Sequence, residues 1–188
     1  GLAAMFHDVD LDGFPDLYVC NDFESPDRLW YGEDWKKFQR IPDMGLRKTS
    51  KFSMAVDFSD INRDGLMDFF VLDMLPTSDE ERKRMLRERI MSETDPSNRL
   101  SRPQYSYNQL QLNRGQRKFS EIAHLAGVEA ADWAWCCAFL DADLDGYDDL
   151  FIGNGVERAA RDIDVIRDLR KKRDEKPLTD AQVFELRR

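Results

Sequence analysis

One acidic loop is written three times in this chain: DVDLDGFPD from Asp8, DINRDGLMD from Asp60 and DADLDGYDD from Asp141. Each reads D-x-[DN]-x-D-G-x-x-D. Positions 1, 3, 5 and 9 are Asp8, Asp10, Asp12 and Asp16 in the first copy. They are Asp60, Asn62, Asp64 and Asp68 in the second, and Asp141, Asp143, Asp145 and Asp149 in the third. The sixth position is always glycine, where a sharp turn calls for a positive φ. Two carboxylates ~4 Å apart repel by ~4 kcal/mol at an effective dielectric of ~20. Three or four around one turn therefore need a counter-charge. Hard cations take oxygen ligands, and Ca²⁺ accepts six to eight of them in flexible geometry. The expected metal ligands are these twelve side chains, with the backbone carbonyls of Phe14, Leu66 and Tyr147 at position 7. An acidic surface turn is the plain alternative for a single copy, since Asp, Asn and Gly favour turns. Three copies in one register argue against it.

The loop is not an EF-hand. That loop requires a bidentate Glu at position 12 and helices on both sides. Position 12 here is Val19, Val71 or Ile152, inside the β-rich runs DLYV, DFFV and DLFI. The loops therefore join strands. With the loops as anchors, the preceding segments align without gaps. Phe6, Phe58 and Phe139 share a column, as do Leu2, Met54 and Trp135, and Ala4, Val56 and Cys137. Their alternation is the period of a strand with one buried face. After the loop, apolar residues occupy both faces, as in strands covered on two sides. The segment Asp27–Phe38 aligns with a second copy ending at Phe119. Further strands are expected around Leu29–Tyr31 and Phe38–Ile41.

The loops start 52 and 81 residues apart, so one unit carries a 29-residue insertion. A unit of about 50 residues with four short strands is the size of a β-propeller blade. The expected fold is all-β. It is a propeller fragment of about two and a half four-stranded blades over 1–155, with three cation loops on one rim. Propellers typically close with 4–8 blades, and Gly1 opens inside a strand with no leader, so the chain is expected to be part of a longer protein. A helical insertion is expected at about 75–105, opened by the capping box Ser78–Glu81. Met85, Leu86 and Ile90 give it a narrow apolar stripe, and the remainder is read as loop. Residues 156–188 are read as a helical tail or a further insertion, with Ile163, Ile166 and Leu169 on one face and a second capping box at Thr179–Gln182.

These loops and blades resemble VCBS/FG-GAP-type repeats, and distantly the calcium-bearing blades of integrin α chains. The wording of DLYVCNDFESPDRLWYG, KFSMAVDFSDINRDGLMDFFVLDML and NQLQLNRGQRKFSEIAHLAGVEAADWAWCCAFLDADLDGYDDLFIGNG is similar to bacterial secreted proteins that pair such repeats with an ASPIC/UnbV domain, and to the cartilage acidic protein family. The resemblance implies a calcium-stabilised, extracytoplasmic propeller used as a scaffold or for adhesion, without catalytic residues.

Composition agrees. Net charge is −9, and the loops supply 11 of the 37 acidic residues. Three Ca²⁺ would bring the charge to about −3. No basic face interleaved with aromatics appears, which excludes nucleic acid as a partner. No apolar run is long enough for a transmembrane helix. Cys20, Cys136 and Cys137 give no disulfide framework and are read as small buried hydrophobes. Extracellular calcium modules bind at Kd on the order of 10⁻⁴–10⁻³ M, so an extracellular, periplasmic or cell-surface location is expected. Three function classes follow: an adhesion or interaction scaffold, a glycan-binding lectin-like propeller, and a propeller-fold polysaccharide-active enzyme. Trp30, Trp35, Trp133 and Trp135 could offer stacking faces for a glycan, but Trp135 shares a core column and is expected to be buried. His7 and His124 are the only histidines, and neither lies in a nucleophile or zinc pattern. The scaffold is the leading reading, with Ca²⁺ as cofactor and an extracellular protein or glycan as partner.

Overall fold

The computed structural model describes residues 1–22, 25–42, 45–84, 103–155 and 171. Its first sheet is the antiparallel meander β1 (Ala3–His7), β2 (Asp16–Cys20), β3 (Arg28–Asp34) and β4 (Lys37–Arg40). After the short β5 (Thr49–Ser50), the second sheet begins with β6 (Ala55–Ser59) and β7 (Asp68–Leu72). The chain then leaves the sheet through α1 (Asp79–Arg84) and returns at β8 (Gln104–Tyr105). β9 (Gln109–Asn113) and β10 (Phe119–Glu121) complete the second sheet in the order β10-β9-β7-β6. A one-turn helix α2 (Ala123–Ala126) precedes the third sheet, the hairpin of β11 (Ala134–Leu140) and β12 (Asp149–Asn154). The strand–loop–strand–strand–strand order is therefore the one the repeat implies.

The second sheet is the middle layer, and its strands show why both faces had to be apolar. All five residues of β7 are buried. Phe69 and Val71 enter a core with Tyr18, Cys20, Leu29 and Tyr31 of the first sheet. Phe70 and Leu72 face the opposite way, into a core with Cys137, Phe139, Leu150 and Ile152 of the third. Period-2 alternation thus sends successive side chains to different cores. Phe69 lies at the centre of the first, with the rings of Tyr18, Phe58 and Phe119 at 4.9, 5.5 and 5.0 Å.

The aligned phenylalanines occupy equivalent places with unequal burial. Phe58 faces the first sheet and is buried, and Phe139 faces the second and is half-buried. Phe6 is 59% exposed, contrary to expectation. Its side of β1 has no sheet packed on it among the described residues, and its ring lies 6.4 Å from that of Phe38. Trp135 also departs from its column and is 50% exposed. The β11–β12 register shifts between Ala134 and Cys136, which takes Trp135 out of the ladder. Cys136 is exposed beside it, while Cys20 is buried, so the reading of all three cysteines as buried hydrophobes fails at Cys136.

The insertion is only partly as expected. Its helix starts as the capping box suggests, with Asp79, Glu80 and Glu81 in the first turn. Met85, Leu86 and Ile90 lie outside the described residues, as do the expected tail helices. The returning segment is not all loop, because β8 pairs in parallel with β5. No helix among the described residues is long and apolar enough to cross a membrane.

Candidate metal loops

The three loops adopt one conformation. Gly13, Gly65 and Gly146 have φ of 90, 84 and 88°, a region open to glycine at little cost. Position 4 is left-handed too: Leu11, Arg63 and Leu144 have φ of 59, 57 and 63°. Leucine is an unusual residue there, so residue type gave no signal for this turn. The two left-handed residues curl the backbone around the carboxylates. The first Asp closes the ring, as Gly13 N, Gly65 N and Gly146 N donate to Asp8, Asp60 and Asp141 at 2.9, 2.8 and 2.9 Å. The fifth-position Asp accepts from the seventh-position N–H: Phe14 to Asp12, Leu66 to Asp64 and Tyr147 to Asp145, at 2.8, 2.9 and 2.8 Å.

Position 9 anchors each loop to its sheet. Asp16 accepts from Val9 N and from Gly32 N on β3, both at 2.8 Å. Asp68 accepts from Ile61 N at 3.2 Å and from Asn113 N on β9 at 2.7 Å. Gly32 and Asn113 hold the same place in their strands. Burial pushes the carboxyls of Asp16 and Asp68 up to about 6 from an ordinary 3.8, against the lowering effect of these hydrogen bonds. Asp149 is exposed and accepts from Ala142 N at 3.2 Å.

The loops differ in how their carboxylates converge. Ligand atoms of Asp8, Asp10 and Asp16 lie within 4.8 Å of one another, as do those of Asp141, Asp143 and Asp145. Asp12 and Asp149 stand outside these triads. In the second loop Asn62 donates to Asp64 at 3.0 Å, and Asp60, Asp64 and Asp68 form no such group. Asp10 Oδ1 and Asp141 Oδ1 are buried with no hydrogen-bond partner. Each belongs to one of the two converging triads, and a buried carboxylate oxygen without a donor is costly unless a cation meets it.

Contacts between sheets gather the loops at one end of the stack. Asn113 donates through Nδ2 to Val9 O of the first loop at 3.3 Å, and its backbone N–H reaches Asp68 of the second. The Arg63 guanidinium of the second loop lies 3.7 Å from the centroid of the Tyr147 ring in the third. Ser59 Oγ donates to Asp148 at 2.5 Å. Arg117, from the β9–β10 turn, pairs with Asp10 Oδ2 of the first loop at 2.9 Å. Aligned repeats give no sign of the Arg117–Asp10 pair or of Asn113 Nδ2 on Val9 O, because each of these contacts crosses from one repeat to another.

A second repeated device also escaped notice. Asn21 N donates to Asp27 at 2.8 Å in the first unit, and Asp73 N donates to Asn108 at 2.8 Å in the second. The acid and the amide have exchanged places. Asp27 accepts further from Tyr18 Oη at 2.9 Å and from Ser53 Oγ at 2.7 Å. Burial raises its carboxyl to about 7, with the three hydrogen bonds opposing. Outside the loops, the His7 ring stacks on Phe58 at 5.0 Å, and the His124 ring is 4.5 Å from Tyr107.

No curated protein matches the chain. Residues 8–71 match the family model described as FG-GAP-like repeat, a span that runs from the first Asp of the first loop to Val71 on β7 and so takes in two of the three loops; the chain carries an FG-GAP-type repeat.

Proposed function

We propose that this chain is a calcium-binding scaffold, part of an extracytoplasmic β-propeller protein used for adhesion or for binding a protein or glycan. The buried, unpartnered oxygens of Asp10 and Asp141 carry this reading, because each lies in a loop where three carboxylates converge. The donor set is all oxygen, which suits a hard cation. Asp8, Asp10, Asp12 and Asp16 with the Phe14 carbonyl would hold the first ion. Asp141, Asp143, Asp145 and Asp149 with the Tyr147 carbonyl would hold another. Asp60, Asn62, Asp64 and Asp68 with the Leu66 carbonyl form the weakest site, having one charge fewer. A bound Ca²⁺ supplies the counter-charge that these carboxylates need. The three stacked sheets support the propeller reading, and the secreted ASPIC/UnbV-type proteins are the kind of full-length chain into which such blades fit. The role is structural, with no catalytic residue assigned.

Suppose free calcium is ~1 mM and each Kd is ~10 µM. Each site then adds ~2.7 kcal/mol by mass action, and the two converging sites ~5 kcal/mol. Calcium titration calorimetry, with melting curves in calcium and in EDTA, tests this. Binding heat and a melting temperature several degrees higher in calcium are expected. Equal melting temperatures and no heat would reduce the loops to acidic turns. A glycan-binding role has its own support in Trp35, which is 76% exposed with its ring 5.9 Å from Phe14 of the first loop. Retention on a glycan array that Trp35→Ala abolishes would favour that role.

A further inference from the structure

The first and third loops carry the same four carboxylates, yet their surroundings differ by one cation. Arg117 comes from the β9–β10 turn of the second sheet, and its left-handed backbone (φ 59°) is one of two adjacent non-glycine residues in that conformation, with Gln116. Its Nε and Nη2 reach Asp10 Oδ2 at 3.0 and 2.9 Å. Its Nη1 donates to Gln39 Oε1 at 3.0 Å, and the guanidinium lies 4.3 Å from the centroid of the Tyr31 ring. Three groups of the first sheet thus hold one cation of the second against the loop. Asp10 is left divided: Oδ2 belongs to Arg117, while Oδ1 is buried and without a donor. At the third loop the neighbouring arginine behaves otherwise. Arg63 lies over the Tyr147 ring and makes no ion pair with a third-loop carboxylate among the described residues.

We propose that Arg117 is a resident competitor at the first loop, which lowers that loop's affinity for a divalent cation below that of the third and couples cation binding to the contact between the first two sheets. This rests on the reading that the loops hold such a cation. A divalent ion using Asp10 Oδ1 sits close to the guanidinium and is repelled by it. At ~6 Å in a medium close to bulk water, a unit charge alters the affinity for a divalent ion about tenfold. Binding is reciprocal, so the ion weakens the Arg117–Asp10 pair by the factor with which the pair weakens the ion.

Calcium titration calorimetry on the full chain decides the matter. With the third loop silenced by Asp141→Asn and Asp145→Asn, Arg117→Gln should tighten the remaining strong site about tenfold. Arg117→Lys, which keeps the charge, should stay within about twofold of the parent. With the first loop silenced instead by Asp8→Asn and Asp10→Asn, Arg117→Gln should leave the third site unchanged. An unchanged or weakened first site in Arg117→Gln, or an equal gain at the third, overturns the inference. Absence of heat in the unmodified chain overturns the calcium reading itself, which is a separate result. If Arg117→Gln does not fold, as judged by circular dichroism, Arg117→Met keeps an aliphatic stem over Tyr31 and takes its place. NMR gives an independent readout, since the Arg117 Nε–H signal should move with the midpoint of the first site. A signal that stays fixed while the first site fills overturns the coupling.

Discussion

At the scale of the residue, position 9 of the loop has two roles that chemistry separates. Asp16 is fully buried and satisfies two backbone N–H groups, whereas Asp149 is exposed and meets one. Asp16→Ala should therefore destabilise the chain by ~3 kcal/mol even in excess chelator, since buried donors lose their acceptor. Asp149→Ala should lower the melting temperature in calcium and leave it nearly unchanged in EDTA. Equal losses in EDTA would refute the distinction. Asp27 offers a second test. Its folded value of about 7 lies above the ordinary 3.8, so its contribution is fully present below about pH 4 and is lost as pH rises through 7. Asn108 shows that the amide fits the equivalent place. Asp27→Asn should flatten the stability–pH curve between pH 5 and 8 and raise stability at pH 8 by on the order of 1 kcal/mol. Urea unfolding at several pH values in EDTA measures this. The acidic residues of the loops and the turn glycines were legible in the sequence because they recur in register. The left-handed Leu11 and Leu144 were not, since leucine has no preference for that conformation.

At the scale of the element, the strand positions and order were readable because loop and strand alternate with a fixed spacing. The failures at Phe6, Trp135 and Cys136 share a cause. An alignment shows which face a side chain occupies, and burial depends on whether another layer covers that face. Phe6 occupies the same place as Phe58 without a covering sheet, and Trp135 falls at a register shift that no pattern announces. The short β8 was missed because its partner β5 is parallel and far off in sequence, Thr49 pairing with Gln104. The insertion is tied down where it starts: Thr77 N and Oγ1 donate to Asp132 at 2.7 and 2.8 Å, and Arg82 pairs with Glu129 at 3.7 Å. Replacing Ser78–Arg102 with a Gly/Ser linker keeps Thr77 and β8 and, among the described residues, removes the Arg82–Glu129 ion pair, worth ~0–1 kcal/mol, and the hydrogen bond from Arg82 Nε to Pro76 O. The linker variant should melt within a few degrees of the parent and bind calcium equally. Collapse of either property would make the insertion part of the core.

At the scale of the whole molecule, the raised carboxyls of Asp16 and Asp68 make acidity and calcium oppose each other. In chelator, both groups favour the protonated folded form, so their contribution falls as pH rises from about 4 through 6. If calcium holds these carboxylates ionised in the folded chain, they match the unfolded carboxylates, which are already ionised above about pH 5, so over the same window the slope should largely vanish. Melting temperatures from about pH 4.5 to 7.5 should fall with rising pH in EDTA and stay nearly level in calcium, and parallel slopes would contradict a role for position 9 in binding. The link from Asn113 to Val9 reaches further than stability. These partners are 104 residues apart, with the insertion between them. A ribosome adding ~5–20 residues per second needs on the order of 5–20 s to cover that distance. The first loop thus emerges long before the strand that clasps it, and Arg117 emerges later still. For that interval a newborn chain presents its first carboxylate cluster without its resident cation, so during synthesis an incoming metal ion meets a more open and more negative cradle than in the finished protein.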